Sequence, residues 1–174
     1  MVVFEDEASL SNTATVSYKW GSKGRQPSIE QKQRKRERKT LFGCIEPRTG
    51  KVIASIEDKG NTLSFFRFMA KVVRANAGKK VVMVVDNVKY HHAIRLRPIL
   101  EKYRDRIELV YLPPYSPDLN PIERVWWYMR KRIAHNRYMD SMDDRITKFN
   151  EFIGEFELEN QTGKDLSRLI VNIY

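Results

Sequence analysis

The sequence has one cysteine, no long hydrophobic run and no internal repeat, and these absences exclude several classes of protein. Cys44 has no partner within the chain, so an intramolecular disulfide is excluded and a reducing compartment is expected. The longest aliphatic run, Val81–Val85, is too short to span a bilayer. The acidic residues Glu5, Asp6 and Glu7 interrupt the place where a secretory signal would be apolar. Together these features predict a soluble intracellular protein.

Net charge is the second constraint on function. The 174 residues carry a formal charge of +10, with 41% hydrophobic and 31% charged residues, a balance typical of one globular domain. Residues 19–39 hold nine Lys/Arg against two Glu, whereas residues 140–165 hold eight acidic residues against three basic ones. Such segregation predicts a face that binds nucleic acid rather than membrane, because no amphipathic basic helix accompanies it. A solvated basic loop is the alternative that charge alone leaves open.

Hydrophobic periodicity predicts strands early in the chain and helices later. Strands are expected at Val2–Glu7, Thr13–Trp20, Thr40–Glu46, Val52–Glu57, Val81–Val85 and Ile107–Leu112. Helices are expected after Asn61, at His92–Arg104 with a break at Pro98, at Pro121–Asn136, and after Ser141. Residues 9–12 read as a turn, and the basic run Gln31–Lys39 as a mobile connection. This order predicts a mixed α/β sheet in which Val81–Val85 lies parallel beside the first strand.

Three acidic residues are the candidate ligands of a metal site. Asp6 and Asp86 lie near the carboxyl ends of their strands, where sheets of this type form ligand sites. Glu123, in the first turn of a later helix, is able to reach the same place. Converging carboxylates repel each other unless a cation holds them, and Mg²⁺ prefers such oxygen ligands. An acidic metal site in a basic protein is expected where the substrate backbone is anionic and the reaction needs metal.

Each of these acids also has an ordinary structural alternative. The segment NPIE that ends at Glu123 matches a capping box with proline at the first helical position, so Glu123 would only satisfy backbone donors. The pair DN at Asp86 is typical of an Asx turn after a strand. Alternation does not decide which of the three acids at positions 5–7 points inward. Spacing alone therefore leaves the metal site open.

Longer motifs carry a resemblance to a known family. The segments FEDEA, YKWGSKGRQP, LFGCI, VVMVVDNVKYHHA and LVYLPPYSPDLNPIERVW, in this order, resemble the endonuclease domain of DDE-superfamily transposases. They are most similar to the prokaryotic insertion-sequence branch related to mariner elements (the IS-six-thirty group). The resemblance covers Val2 to about Asn136, and the long proline-rich segment is its most specific part. The last helices fit the family less specifically.

The resemblance implies a ribonuclease H-like fold similar to retroviral integrase, a mixed five-stranded sheet with helices on both faces. It implies that Asp6, Asp86 and Glu123 are catalytic and hold two Mg²⁺ or Mn²⁺ ions; the 36 residues between the last two suit the family's short separation. Asn87 would orient its acidic neighbour. His91 matches a family position beside substrate phosphate or the metal's surroundings, with a purely structural histidine as an equal alternative. Zinc is not expected, because no cysteine lies nearby.

By the same resemblance the chain is the catalytic domain of a DNA transposase. A metal-activated water would hydrolyse a phosphodiester at the transposon end, and the freed 3′-hydroxyl would attack target DNA. The expected partners are double-stranded DNA, both the transposon ends and the target. In the DNA complex a second copy of the chain is expected, so that the protein is a homodimer. Residues 1–174 are expected to form one catalytic domain without the family's N-terminal helix-turn-helix region. Two explanations stay open: the chain is a truncated piece of a longer protein, or it is the second reading frame of a split element, in which case a partner product would carry the helix-turn-helix. A cytoplasmic, nucleoid-associated location in a prokaryote is expected.

Basic and aromatic residues around the motifs are candidates for DNA contact. We expect non-specific phosphate contacts from Lys19, Lys23, Arg25, Arg34, Lys35, Arg36, Arg130 and Lys131. Trp126 and Trp127 are expected to be core and partly exposed packing residues, either of which would also be able to stack on a base. Two rival functions stay open at this point: a related metal-dependent nuclease without strand transfer, and a non-catalytic DNA-binding remnant of a transposase.

Overall fold

A five-stranded mixed sheet forms the middle layer of the computed structural model, which describes residues 1–14, 23–24, 36–114, 116–137, 139 and 141–168. The strands are β1 (Val2–Ser11), β2 (Arg38–Glu46), β3 (Lys51–Glu57), β4 (Val81–Val85) and β5 (Ile107–Tyr111). Their spatial order is β3-β2-β1-β4-β5. β1, β2 and β3 pair antiparallel, whereas β4 pairs parallel with both β1 and β5. The mixed sheet and the parallel placement of β4 beside β1 are therefore confirmed.

Helices cover both faces of this sheet and produce two separate hydrophobic cores. The helices are α1 (Thr62–Ala75), α2 (Arg97–Lys102), α3 (Ile122–Met129), α4 (Met142–Gly154) and α5 (Gln161–Leu166). On one face Phe65 and Phe68 of α1 pack against Phe42 of β2. On the other face α3 and α4 enclose a core that includes Trp126 and Phe149. The two faces matter for function, because alternate residues of β1 point to different cores.

Polar caps define where two helices begin. The Asn61 side chain accepts hydrogen bonds from the backbone N–H groups of Leu63 and Ser64 at the start of α1. The Ser141 hydroxyl accepts one from Asp144 N–H at the start of α4. Both caps were expected from the sequence, and both are confirmed. Caps of this kind satisfy backbone donors that have no partner within the helix.

The strand predictions near the N-terminus need two corrections. The turn expected at residues 9–12 is wrong, because β1 continues to Ser11, which pairs with Arg38 of β2, and Leu10 is buried in the α3–α4 core. The connection expected at Gln31–Lys39 ends earlier than predicted, since Arg38 and Lys39 already belong to β2. Most of the strand expected at Thr13–Trp20, namely residues 15–20, lies outside the described part of the chain.

Two predicted helices are shorter than expected. Residues of the expected helix His92–Arg104 form 3₁₀ turns at Lys89–His92 and Ile94–Leu96, and α2 begins at Arg97 with Pro98 in its first turn. Because a new helix begins next to Pro98, the break expected at this residue is confirmed. A proline in the first turn costs no intrahelical hydrogen bond. The helix expected at Pro121–Asn136 ends as α3 at Met129 and continues as a π-helical turn, Arg130–Ala134.

A close approach of α3 to the sheet sets the position of everything that α3 carries. Gly43 of β2 pairs with Asp6 of β1 and faces the indole of Trp126. A Cβ atom built on Gly43 would lie 2.4 Å from Cη2 of Trp126, much closer than carbon atoms pack. Glycine at this position therefore allows α3 to lie directly over the centre of the sheet, beside Asp6.

None of the helices in the described ranges combines the length and the apolar character that crossing a membrane would require.

Candidate active site

A cleft opens at the carboxyl ends of β4 and β5, beside the start of α3. Its volume is about 460 Å³, and the carboxylates of Asp6, Asp86 and Glu123 all line it. Prolines from the segment between β5 and α3, at positions 113, 114 and 117, form one wall. The proline-rich segment thus returns the chain from the end of β5 to the helix that carries Glu123. The structure brings the three acids singled out in the sequence to one cavity.

The side chain of Asp6 points to the α3 face of the sheet, whereas those of Glu5 and Glu7 point to the α1 face. Glu5 is fully buried, and with Glu7 it lies against His91 under α1. Asp6 instead interacts with Glu123 of α3. The alternation of β1 therefore directs Glu5 and Glu7 towards His91 and α1, and only the middle acid faces the helix that carries the third candidate ligand.

The capping box considered for Glu123 is not formed. The first residue before α3 is Pro121, which makes no side-chain cap. Asn120 uses its side-chain Nδ2 to donate to the backbone oxygen of Glu5 at 2.8 Å, and its backbone N–H donates to Pro117 O at 2.9 Å. Within the described part of the chain no backbone donor is bonded to the Glu123 side chain, and Asn120 ties the start of α3 to β1 instead.

Asp86 is held in the orientation that an Asx turn produces. The backbone N–H of Val88 donates to Asp86 Oδ1 at 3.0 Å, so the turn expected from the sequence is present. His91 Nδ1 lies 3.1 Å from the same oxygen. The hydrogen bond from His91 is the largest influence on Asp86 and lowers the pKa of this carboxyl. Asp86 therefore stays ionised while 48% of its side chain remains exposed to the cleft.

Asp6 has the opposite electrostatic character. Burial is the largest cause, and the negative charges of Glu123 and Glu7 add to it, so the pKa of Asp6 is raised to about 8. Carboxylate oxygens of Asp6, Glu7 and Asp86 lie within 4.8 Å of one another. Such crowding is unfavourable for three negative charges and becomes favourable when a cation is present between them.

A buried histidine connects Asp86 to the acids on the other face of β1. His91 is 1% exposed, and its Nε2 lies 3.2 Å from Glu7 Oε1 and 3.6 Å from Glu5 Oε2. Burial opposes protonation, but the hydrogen bonds to Asp86 and Glu7 and the charge of Glu5 outweigh it and raise the pKa of His91 to about 10. A protonated His91 donates from both ring nitrogens, so it stabilises Asp86 from behind and does not reach the cleft.

We expect His91→Ala to lower the free energy of unfolding by about 2–4 kcal/mol, because it leaves Glu5 buried without a cation. His92→Ala is the matched control: His92 is exposed and stacks on Tyr111, with ring centroids 4.3 Å apart. Its loss is expected to cost less than about 1 kcal/mol. Urea unfolding followed by circular dichroism measures both. Equal effects of the two substitutions would contradict the role assigned to His91.

The remaining site residues proposed from the sequence fall in several places. Asn87 lines the cleft, but its side chain donates to Leu112 O and so ties the end of β4 to the end of β5 rather than to Asp86. Of the candidate DNA contacts, Lys23, Arg36 and Lys131 are exposed and Arg130 is half-buried. Lys19, Arg25, Arg34 and Lys35 lie outside the described residues.

Glu5 and Glu7 are the site residues that the sequence analysis did not assign. Alternation in FEDEA puts both on one face of a strand, and a buried acid beside a half-buried one requires a cationic partner. A candidate cationic partner is also visible in the sequence: the chain has three histidines, and one of them follows Asp86 by five residues. Only the tertiary structure, however, places that histidine under β1.

A mixed sheet of this order, with helices on both faces and acids at the strand ends, defines a ribonuclease H-like protein. A family model described as DDE superfamily endonuclease matches residues 1–146, and the chain belongs to this family. The resemblance drawn from the motifs, to the insertion-sequence and mariner group, is thereby confirmed, as is the fold class.

Two curated relatives are similar in sequence. An uncharacterized protein y4pE/y4sA of Sinorhizobium fredii is 33% identical over 108 residues, which are 62% of this chain and 76% of that protein. An uncharacterized 39 kDa protein of insertion element IS630 from Shigella sonnei is 27% identical over 156 residues, which are 87% of this chain and 44% of that protein. The chain thus spans less than half the length of the second relative.

Solved structures with low sequence identity share the fold. The Mos1 transposase in a paired-end complex with the left transposon end has a TM-score of 0.71 at 17% identity, covering 97% of this chain and 51% of that one. The catalytic core domain of the HTLV-2 integrase, in complex with magnesium, has a TM-score of 0.53 at 14% identity, covering 90% and 81%. The chain therefore corresponds to about half of the Mos1 chain.

Proposed function

We propose that the chain is the catalytic domain of a DNA transposase, which cuts phosphodiester bonds at transposon ends and joins them to target DNA with divalent metal. The observation that supports this most directly is the single cleft that Asp6, Asp86 and Glu123 all line. Three carboxylates from a central strand, a strand end and a helix start have no structural need to converge. Burial, to which the negative charge of Glu123 adds, raises the pKa of Asp6 to about 8, an unfavourable arrangement that a bound cation would relieve.

The residues present fit Mg²⁺ or Mn²⁺. The donor atoms are carboxylate oxygens, which these cations prefer, and the single cysteine, Cys44, is buried on the other face of the sheet. Mos1 mariner paired-end complexes have been solved with Mn and with Mg. Two such ions, when bound, would activate the attacking hydroxyl and stabilise the leaving oxygen.

The protein side chains have different roles in this proposal. Asp6 interacts with both Glu123 and Asp86, so it is the natural shared ligand. Asp86 is kept ionised and fixed in direction by His91 and Val88. Glu123 lies on a short helix whose start is tied to β1 through Asn120. These attachments hold three ligands from distant parts of the chain in one place, as positioning of a phosphodiester for in-line attack requires.

DNA is the proposed substrate because the solved complexes of Mos1 contain transposon ends and the chain carries a charge of +10. Arg130 and Lys131 follow α3 directly, on the helix that also carries Glu123. Cations there would bind phosphates next to those that enter the cleft. Contacts of this kind are not sequence-specific and weaken as the salt concentration rises. Recognition of transposon ends would then require a further region or partner, such as a helix-turn-helix protein.

Asp86→Asn is expected to reduce metal-dependent nicking of supercoiled plasmid by about a thousandfold without unfolding the protein. A metal ligand contributes several kcal/mol to transition-state stabilisation, and about 1.4 kcal/mol corresponds to a factor of ten in rate. The matched control is Asp105→Asn, which removes an exposed carboxylate just before β5, at the opposite end of the strands. Full nicking by Asp86→Asn, or equal loss in both variants, would sink the proposal.

Strand transfer separates a transposase from a related nuclease. A short duplex that already ends in a free 3′-hydroxyl is incubated with plasmid, Mn²⁺ and the protein, and joined products are detected by electrophoresis. We expect joining by the wild type and none by Asp86→Asn. Cleavage without joining would favour the nuclease alternative. DNA binding that is insensitive to metal, without cleavage at any metal concentration, would favour a non-catalytic remnant.

A further inference from the structure

Trp127 differs from the other aromatic residues of α3. Its indole is 53% exposed, whereas Trp126 is fully buried and Tyr128 is half-buried. Trp126 is held by the sheet through its contact with Gly43, whereas Trp127 packs with only part of its surface. A flat, exposed aromatic ring is a surface on which a planar ligand is able to stack.

The position of Trp127 on α3 links it to the cleft. Residues four apart on a helix lie on the same face with Cβ atoms about 5–6 Å apart. Trp127 is four residues beyond Glu123, and Lys131 is four residues beyond Trp127. The Lys131 ammonium lies 5.2 Å from the centre of the indole ring. An acid of the cleft, an open aromatic ring and an exposed cation therefore follow one another along one face of this helix.

We propose that Trp127 is a stacking site for an unpaired base of the DNA strand whose phosphate enters the cleft, with Lys131 binding the adjoining phosphate. This proposal rests on the proposed function. An aromatic ring beside a cation matches the two parts of a nucleotide, because every base has a stacking face and every phosphate is negative. The spacing from Glu123 to Trp127 suits a neighbouring nucleotide.

The nature of the occupant follows from base stacking. A base inside a duplex is already covered on both faces by its neighbours, so it has no free face to offer. Only an unpaired base, or one taken out of the duplex, is able to stack on Trp127. The site would therefore favour a DNA end with a single-stranded extension over a blunt end. Such ends are what staggered cleavage produces.

The experiment compares two labelled duplexes, one blunt and one with a short single-stranded 3′ extension, by fluorescence anisotropy in EDTA so that no cleavage occurs. The wild type is expected to bind the extended duplex at least fivefold more tightly, since stacking of one base contributes about 1 kcal/mol or more. Trp127→Ala should lose this preference and keep its affinity for the blunt duplex, whereas Trp127→Phe should keep most of the preference. A 2-aminopurine in the extension reports stacking directly through its quenching.

The matched control is Tyr103→Ala. Tyr103 is 46% exposed and has the Lys102 ammonium 5.3 Å from its ring, but it follows α2 on the other face of the sheet. The same aromatic–cation pair is thus present far from α3, and its removal should leave both affinities unchanged. Circular dichroism verifies that each variant is folded.

Three outcomes would overturn the stacking site. The first is a wild type that does not prefer the extended duplex. The second is a Trp127→Ala variant that keeps the preference. The third is a Trp127→Ala variant that binds DNA as the wild type does but no longer forms a dimer, which would show that the ring contacts a second copy of the chain. Failure of the proposed function looks different. A protein that shows the Trp127-dependent preference but never cleaves in Mn²⁺ would retain the base site and lose the transposase activity.

Discussion

Asp6→Asn is expected to abolish metal-dependent DNA cleavage and, at the same time, to raise the free energy of unfolding of the metal-free protein. Cleavage should fall by about a thousandfold, for the reason given for Asp86. Stability should increase by about 1–3 kcal/mol at pH 8, because asparagine keeps the shape of the side chain and removes a charge that burial and Glu123 disfavour. A gain in stability with a loss of activity distinguishes a ligand from a residue that merely supports the fold.

The pH dependence of this stability difference follows from the raised pKa of Asp6. The folded protein binds the Asp6 proton more tightly than the unfolded chain does, so wild-type stability falls as the pH rises from about 4 to about 8. The variant lacks this titration. The difference between the two proteins should therefore be small near pH 4 and complete above pH 8. Urea unfolding at several pH values in EDTA measures it.

Metal should reverse the order of the two stabilities. Mn²⁺ should bind the folded wild type and stabilise it by mass action, whereas Asp6→Asn should show little binding by calorimetry and no stabilisation. Asp105→Asn is again the control and should behave like the wild type in both respects. Manganese binding of wild-type strength by Asp6→Asn, or a lower stability in EDTA, would remove Asp6 from the proposed site.

Gly43→Ala is expected to lower the free energy of unfolding by about 3 kcal/mol or more and to reduce cleavage as well. The added Cβ atom would lie 2.4 Å from Cη2 of Trp126, so α3 must shift away from the sheet. Because α3 also carries Glu123, the shift moves one of the three acids away from Asp6. The effect therefore connects a packing contact in the core to the geometry of the cleft.

A double-mutant cycle tests this contact. Trp126→Phe removes the two ring atoms nearest to Gly43, so the double variant should be destabilised by less than the sum of the two single variants. Gly154→Ala is the control glycine: it is the last residue of α4, and a Cβ atom there has no neighbour within 4 Å. Its replacement should leave stability within about 1 kcal/mol of the wild type. Additive effects of Gly43→Ala and Trp126→Phe would contradict the proposed contact.

Most of the local structure was predictable from the sequence because it depends on short-range signals. The apolar run Val81–Val85, the cap at Asn61 and the break at Pro98 each specify an element through residues within or beside it. One error occurs where a contact between distant residues overrides the local signal: β1 continues through Ser11 because β2 offers a partner for it. The other concerns α3, which ends at Met129, before the predicted Asn136, and continues as a π-helical turn.

The sequence by itself determined the order of the described elements, the family and the choice of three candidate acids, because long ordered motifs carry this information in residue types and spacing. Only the tertiary structure decided which face of β1 each acid occupies, that Glu123 faces the cleft instead of capping α3, and that His91 lies behind Asp86 against Glu5 and Glu7. A strand pattern specifies two faces but not which helix covers each of them. That choice depends on contacts such as Gly43 with Trp126, whose residues are far apart in the chain.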